Sequence, residues 1–211
     1  MVITWIVFEF VGTLAFAFSG AMVGIKESMD LFGIVVLSIM TAVGGGILRD
    51  LMVGNIPVTI FKHPASFLIA IILALVLSIV YRITAFSFRK NKIFKILFYI
   101  SDTLGLGAFT VTGATMSLYM YPEMQYVAPI TLGVITAVGG GLLRDMAVPK
   151  RPVVLYADIY ATASLAGSVI LCAIWSLGYK FEAEWAGFIV VVLLRFFAII
   201  YKWQLFKPVE K

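Results

Sequence analysis

Two ten-residue stretches place an arginine and an aspartate just behind three glycines: TAVGGGILRD at 41–50 and TAVGGGLLRD at 136–145. The triplets Gly44, Gly45, Gly46 and Gly139, Gly140, Gly141 leave backbone carbonyls and amides uncovered, and the pairs Arg49-Asp50 and Arg144-Asp145 add charge of both signs. Glu9 and Asp102 are a further pair of acids at matching places one helix earlier, and Ser19, Thr41, Thr112 and Thr136 supply hydroxyls nearby. Such a set suits the handling of small ions. Carboxylates raise the local cation concentration, and hydroxyls and carbonyls replace part of an ion's hydration shell. It does not suit covalent or metal chemistry. With one histidine (His63), one cysteine (Cys172) and no clustered ligands, few nucleophiles or general bases are on offer. Neither an enzyme, a resident cofactor nor a structural metal is expected.

Composition fixes the kind of element that must position these residues. Hydrophobic residues make up 62% of the 211 and charged residues 13%, against roughly 45–50% and 25% in soluble domains. A compact fold of this size cannot hide so much apolar surface from water, so the solvent is lipid. The net charge of +5 does not point to nucleic acid, because Arg82, Arg89, Lys90, Lys92 and Lys95 crowd one hydrophilic stretch and Lys202, Lys207 and Lys211 mark the C-terminus. Clusters flanking apolar spans read as topology signals and phospholipid contacts.

Runs near the length of a membrane-crossing helix fall at about 3–24, 31–52, 65–85, 94–119, 126–147, 154–178 and 184–203. The expectation is an all-α polytopic membrane protein, one transmembrane domain over residues 1–211 with seven transmembrane helices. The first span lacks a basic leader and reads as retained, not as a cleaved signal. Loops after spans 1, 3 and 5 and the C-terminus hold most of the basic residues, Lys26, Lys150 and Arg151 among them. The positive-inside rule then predicts a cell-membrane protein with its N-terminus outside and its C-terminus in the cytoplasm.

The chain repeats itself. An offset of 95 relates the two glycine motifs and also pairs Pro57-Val58 with Pro152-Val153. An offset of 93 pairs Glu9 with Asp102, Gly12 with Gly105, Ala15-Phe16 with Ala108-Phe109, and Gly20-Ala21 with Gly113-Ala114. Each unit holds three spans, an odd number, so the units (about 1–88 and 94–180) enter the membrane from opposite sides as inverted repeats. The seventh helix, about 184–203, stands outside the duplication and reads as packing or oligomer contact.

Glycines cost a helix roughly 1 kcal/mol each relative to alanine, and each triplet lies about 20 Å along its span. Three in a row inside lipid read as a break or kink beside a polar pathway, since irregular backbone survives only against protein or water. Close helix packing through small residues is the other reading. Adjacent Arg and Asp point about 100° apart on a helix, so each is expected to reach a different element, Arg49 toward the outer face and Arg144 toward the cytoplasm. They mark a polar pathway, a helix-end ion pair, or both. Glu9 and Asp102 lie at pathway mouths or bond to the arginines. Spans 1, 2, 4 and 5 carry the small and polar stripes, so the pathway belongs among them, with span 3 outside. Arg195 either snorkels or pairs, Asp158 reads as interfacial, His63 as a solvated turn residue, and Trp5, Trp185 and Trp203 as an aromatic belt.

The duplicated A-V-G-G-G-x-L-R-D with a proline shortly after resembles the bacterial and archaeal members of the trimeric intracellular cation (TRIC) channel family, whose sequence domain also goes by the name glycine transporter. The likeness covers nearly the whole chain. It implies a homotrimer with one pore per protomer, conducting monovalent cations and chiefly K⁺, with helices 2 and 5 kinked at Gly44–Gly46 and Gly139–Gly141 around an hourglass-shaped pore. K⁺ is then a transient occupant, and lipid between protomers is compatible with it. Animal relatives bind a phosphoinositide through a basic motif in the fourth span. Here that region reads SDTLGLGAFTVTGA, without basic residues, and the property is not carried over. No stretch resembles the TVGYG filter, which predicts weak K⁺/Na⁺ discrimination. The alternative is a secondary transporter of a small zwitterion such as glycine, for which helix breaks at a repeat interface would also serve.

Overall fold

The computed structural model describes residues 3–84, 92–123, 126–149, 152 and 159–203. Eight helices lie in this part: α1 (Ile3–Lys26), α2 (Leu31–Met52), α3 (Thr59–Lys62), α4 (Ala65–Thr84), α5 (Lys92–Met120), α6 (Val127–Met146), α7 (Ala161–Ser176) and α8 (Lys180–Tyr201). All but α3 and α7 are long and apolar enough to cross a membrane, and α7 is a shorter apolar helix of 16 residues. The expected sixth span begins earlier, at 154, and that beginning lies outside the described residues. So do Asp158 and the basic residues Arg89, Lys90, Lys150, Arg151, Lys207 and Lys211.

Local chemistry sets the turns. At the end of α1, Ser28 takes a left-handed φ of 59°. Its N–H bonds to the Ile25 carbonyl at 3.1 Å, and that of Met29 to Gly24 at 3.0 Å, which satisfies two carbonyls that a helix end leaves open. Asp30 then caps α2, its side chain accepting from the Gly33 N–H at 2.7 Å. The connection is therefore tight, and α1 and α2 form a hairpin. α5, at 29 residues, is roughly 44 Å long against a hydrocarbon core of about 30 Å. Its lysine-bearing first turns, with Lys92 and Lys95, are the part best suited to project into water.

Helices α1, α2, α5 and α6 pack on one another at the centre. α4 lies against α1 and α2, whereas α7 packs on α5 and α6, and α8 on α5 and α7. The outward side chains of α4 (Leu68, Ile72, Val76, Ile79) are exposed, as a lipid-facing surface allows.

The duplication reappears as duplicated contacts. A Cβ on Gly12 would meet the Phe109 ring at 2.9 Å, and one on Gly105 would fall on the Phe16 ring. These two rings meet edge to face at 5.2 Å. Gly20 faces the Leu37 carbonyl at 2.7 Å and Gly113 the Leu132 carbonyl at 2.6 Å, measured from the same Cβ position. Contacts in which residue i of one half meets j of the other, and j's equivalent meets i's, are what a two-fold axis produces.

Candidate ion pathway

The glycine triplets are where α2 and α6 cross. A Cβ on Gly45 would fall on the Thr136 carbonyl oxygen, and one on Gly140 on the Thr41 carbonyl oxygen. Gly44 and Gly139 receive the side chains of Leu143 and Leu48. Both helices run uninterrupted through their triplets, so of the expected break or kink the break is not present. The triplets permit backbone-to-backbone approach, because only hydrogen fits in the gap. Gly46 and Gly141 face away from the crossing, toward Arg49 and Arg144 respectively.

The four hydroxyls are fully buried, and of them Thr41 and Thr136 belong to the crossing. Thr41 donates to Leu37 at 2.6 Å and Thr136 to Leu132 at 2.6 Å, each satisfied by its own helix. Thr112 reaches the Phe109 carbonyl at 3.5 Å, and Ser19 accepts a hydrogen bond from Arg144. At Gly45 and Gly140 the two backbones are in direct contact.

A charged cluster sits at each end. In the first half, Arg49 (1% exposed) places Nε 3.0 Å and Nη2 2.9 Å from Asp50 Oδ1, and Nη1 3.6 Å from Glu9. Trp5 lies 5.9 Å from the guanidinium. In the second half, Arg144 (0% exposed) donates through Nε to Asp145 at 2.8 Å and through Nη1 to Asp102 at 2.7 Å, with Phe98 at 4.9 Å. Trp5 and Phe98 obey the same offset of 93 as Glu9 and Asp102. The adjacent Arg and Asp therefore do pair directly, against expectation. The 100° argument treats side chains as rigid spokes, whereas an arginine stem is long enough to fold back along the last helical turn.

The clusters differ in detail. Asp50 also accepts from the Thr59 N–H at 2.5 Å, tying the end of α2 to the start of α3, a short helix that periodicity does not signal. A crevice with about 20 Å³ of free space, enough for one water, opens beside Glu9, Gly46, Arg49, Asp50, His63 and Ser66. Here Arg49 Nη1 and Glu9 Oε2 lack hydrogen-bond partners. His63 is exposed, as a turn residue should be, yet it lines this crevice. In the second half Arg195 pairs instead of snorkelling. It is 4% exposed, bonds the Ile159 carbonyl at 3.0 Å, lies 3.8 Å from Asp102 and stacks 4.7 Å from Tyr160. Trp185 and Trp203 are partly exposed, but Trp5 is buried and its indole donates to the Thr112 carbonyl at 3.4 Å. It belongs to the cluster, not to the belt. Sequence reasoning missed Tyr160, although an aromatic two residues past an acid at a helix start was there to be seen. Among the described residues no group of His, Cys, Asp and Glu could hold a metal ion.

Inverted halves, a small-residue crossing and intramembrane charge at both ends define a polytopic membrane protein of the transport class. A family model described as "Glycine transporter" matches residues 6–82 and again 99–176. The chain belongs to that family. Among its relatives, the inner membrane protein YadS of Escherichia coli K12 is 32% identical over 99% of this chain and 96% of its own length. The membrane protein YvgT of Bacillus subtilis is 33% identical over 95% of each. A structure solved to explain conductance through TRIC cation channels superposes with a TM-score of 0.85 at 31% identity, covering 100% of this chain and 99% of that one. The TRIC orthologue from Rhodobacter sphaeroides gives 0.85 at 32% identity, over 94% and 98%. A more distant TRIC counter-ion channel, at 17% identity and a TM-score of 0.60 over 95% of this chain and 94% of that one, shares the fold.

Proposed function

We propose that this protein is a passive channel for monovalent cations, chiefly K⁺, working as a homotrimer with one pathway per protomer among α1, α2, α5 and α6. The observation that carries this reading is the full-length likeness to solved TRIC cation channels. Two carboxylates against one arginine give the Glu9 end an excess of negative charge, which concentrates cations. Past it, an ion would meet the threonine hydroxyls and carbonyls at the glycine crossing once α2 and α6 separate. These ligands form no ordered ring of carbonyls, so discrimination between K⁺ and Na⁺ is weak. The Glu9 and Arg49 end faces outward and the Arg144 end the cytoplasm, by the positive-inside rule. The likeness to ion channels also speaks against an enzymatic role. Lipid fills the surfaces between protomers.

Proteoliposomes loaded with KCl test this. Purified protein should release K⁺ passively and without saturation, and no release above that of empty vesicles would refute the channel. One observation favours a second reading, transport of a zwitterion such as glycine. Arg49 Nη1 and Glu9 Oε2 make no hydrogen bond and face each other only as a loose ion pair at 3.6 Å beside one crevice, where a carboxylate and an ammonium could come between them. Saturable uptake of labelled glycine in the same vesicles would establish it.

A further inference from the structure

The two ends of the bundle are built on one plan, and the second departs from it through a helix outside the duplication. Ahead of Gly46 nothing comes nearer to a Cβ position than Arg49 Nη2 at 3.5 Å, and the space there is the crevice. Ahead of Gly141 the Tyr160 hydroxyl lies 2.8 Å from the Cβ position. The ring is 2% exposed and held under Arg195, whose guanidinium lies 4.7 Å from its centroid and reaches on to the Ile159 carbonyl and Asp102. Tyr160 thus fills, at one end, the volume that stays open at the other.

The hydroxyl gives the ring a reason to leave. It is buried with no hydrogen-bond partner, and a phenylalanine would fill the same volume without that penalty. A buried unpaired hydroxyl carries a desolvation cost, which is recovered when it reaches water. The stacking and ion contacts of Arg195 oppose that departure by a comparable amount. A side chain held by one interaction and expelled by another of similar size has two states.

The geometry points to Tyr160 as a stopper at the Arg144 end of the pathway, with Arg195 of the unduplicated helix α8 as the residue that positions it. This rests on the channel reading. Withdrawal of the ring would join the Asp102–Arg144 cluster to water and open that end of the pathway.

Planar-bilayer recordings on purified full-length protein test it, comparing wild type with Tyr160→Ala, Tyr160→Phe and Arg195→Gln. Open probability should rise about tenfold in Tyr160→Ala, which has no stopper, and in Arg195→Gln, which has no cation to hold it. It should fall about tenfold in Tyr160→Phe, which keeps the ring and loses the drive to leave, with unitary conductance unchanged. If Tyr160→Ala does not fold, the opposite shifts in the other two decide. Equal open probability in conducting wild type and variants would overturn the stopper while leaving the channel standing. Silence in all of them would overturn the channel reading and the stopper with it.

Discussion

Arg144 meets two carboxylates, a serine hydroxyl and a phenyl ring in a space closed to solvent. Removing one member of such a buried set leaves its partners charged and unpaired, which costs on the order of 3–5 kcal/mol. Arg144→Ala is therefore expected to lower the unfolding temperature in detergent clearly more than Arg49→Ala, because Glu9 is partly exposed beside a crevice. Equal losses would show that the crevice does not hydrate the first cluster. Arg144→Lys should recover little, since an ammonium cannot serve Asp102, Asp145 and Ser19 together. Much at this scale was legible in sequence. Glu9 and Asp102 were identified as a pair by the offset, and bonding to the arginines was one of their two readings. The Arg–Asp contacts were not, since helical angle alone ignores side-chain reach. Trp5 misled because a tryptophan near a span end looks the same in a belt and in a cluster until its neighbours are known.

The glycine triplets act at the level of helices. Sequence locates them and pairs them, and it ranks a break or kink beside a polar pathway above close packing; the structure shows no break, and the two helices touch backbone to backbone at the triplets. Periodicity cannot decide this, because the partner surface is another glycine triplet 95 residues away. The three positions consequently differ in tolerance. Gly45→Ala and Gly140→Ala each press a methyl group onto a carbonyl of the facing helix, and overpacking of this kind costs about 1–3 kcal/mol. Gly46→Ala meets only the end of Arg49 at 3.5 Å and gains up to about 1 kcal/mol of helix propensity. Thermal unfolding of the three variants should place Gly46→Ala at or above wild type and the other two below. A uniform loss would mean that the triplets are needed for something other than this crossing.

For the whole molecule, the apolar composition and the odd number of spans per repeat were enough to derive inverted halves, and the reciprocal contacts of Gly45 and Gly140 bear out that symmetry. What the repeat could not reveal is how the halves differ. Arg195 lies in the unduplicated helix and Tyr160 in a helix-start segment without a repeat signal, so neither stood out as part of a site. The proposed orientation rests on the basic loops alone. A reporter fused after Lys211 should be active only if it requires the cytoplasm, and one fused before Met1 only if it requires the outside. The opposite pattern would exchange the assigned ends of the pathway. The most direct test of conduction itself is the reversal potential of single channels in planar bilayers under a KCl gradient. Discrete unitary currents reversing close to the K⁺ equilibrium potential, and shifting only slightly when Na⁺ replaces K⁺, are the predicted result. Reversal near the Cl⁻ potential, or no unitary current from protein that takes up glycine saturably, would contradict it.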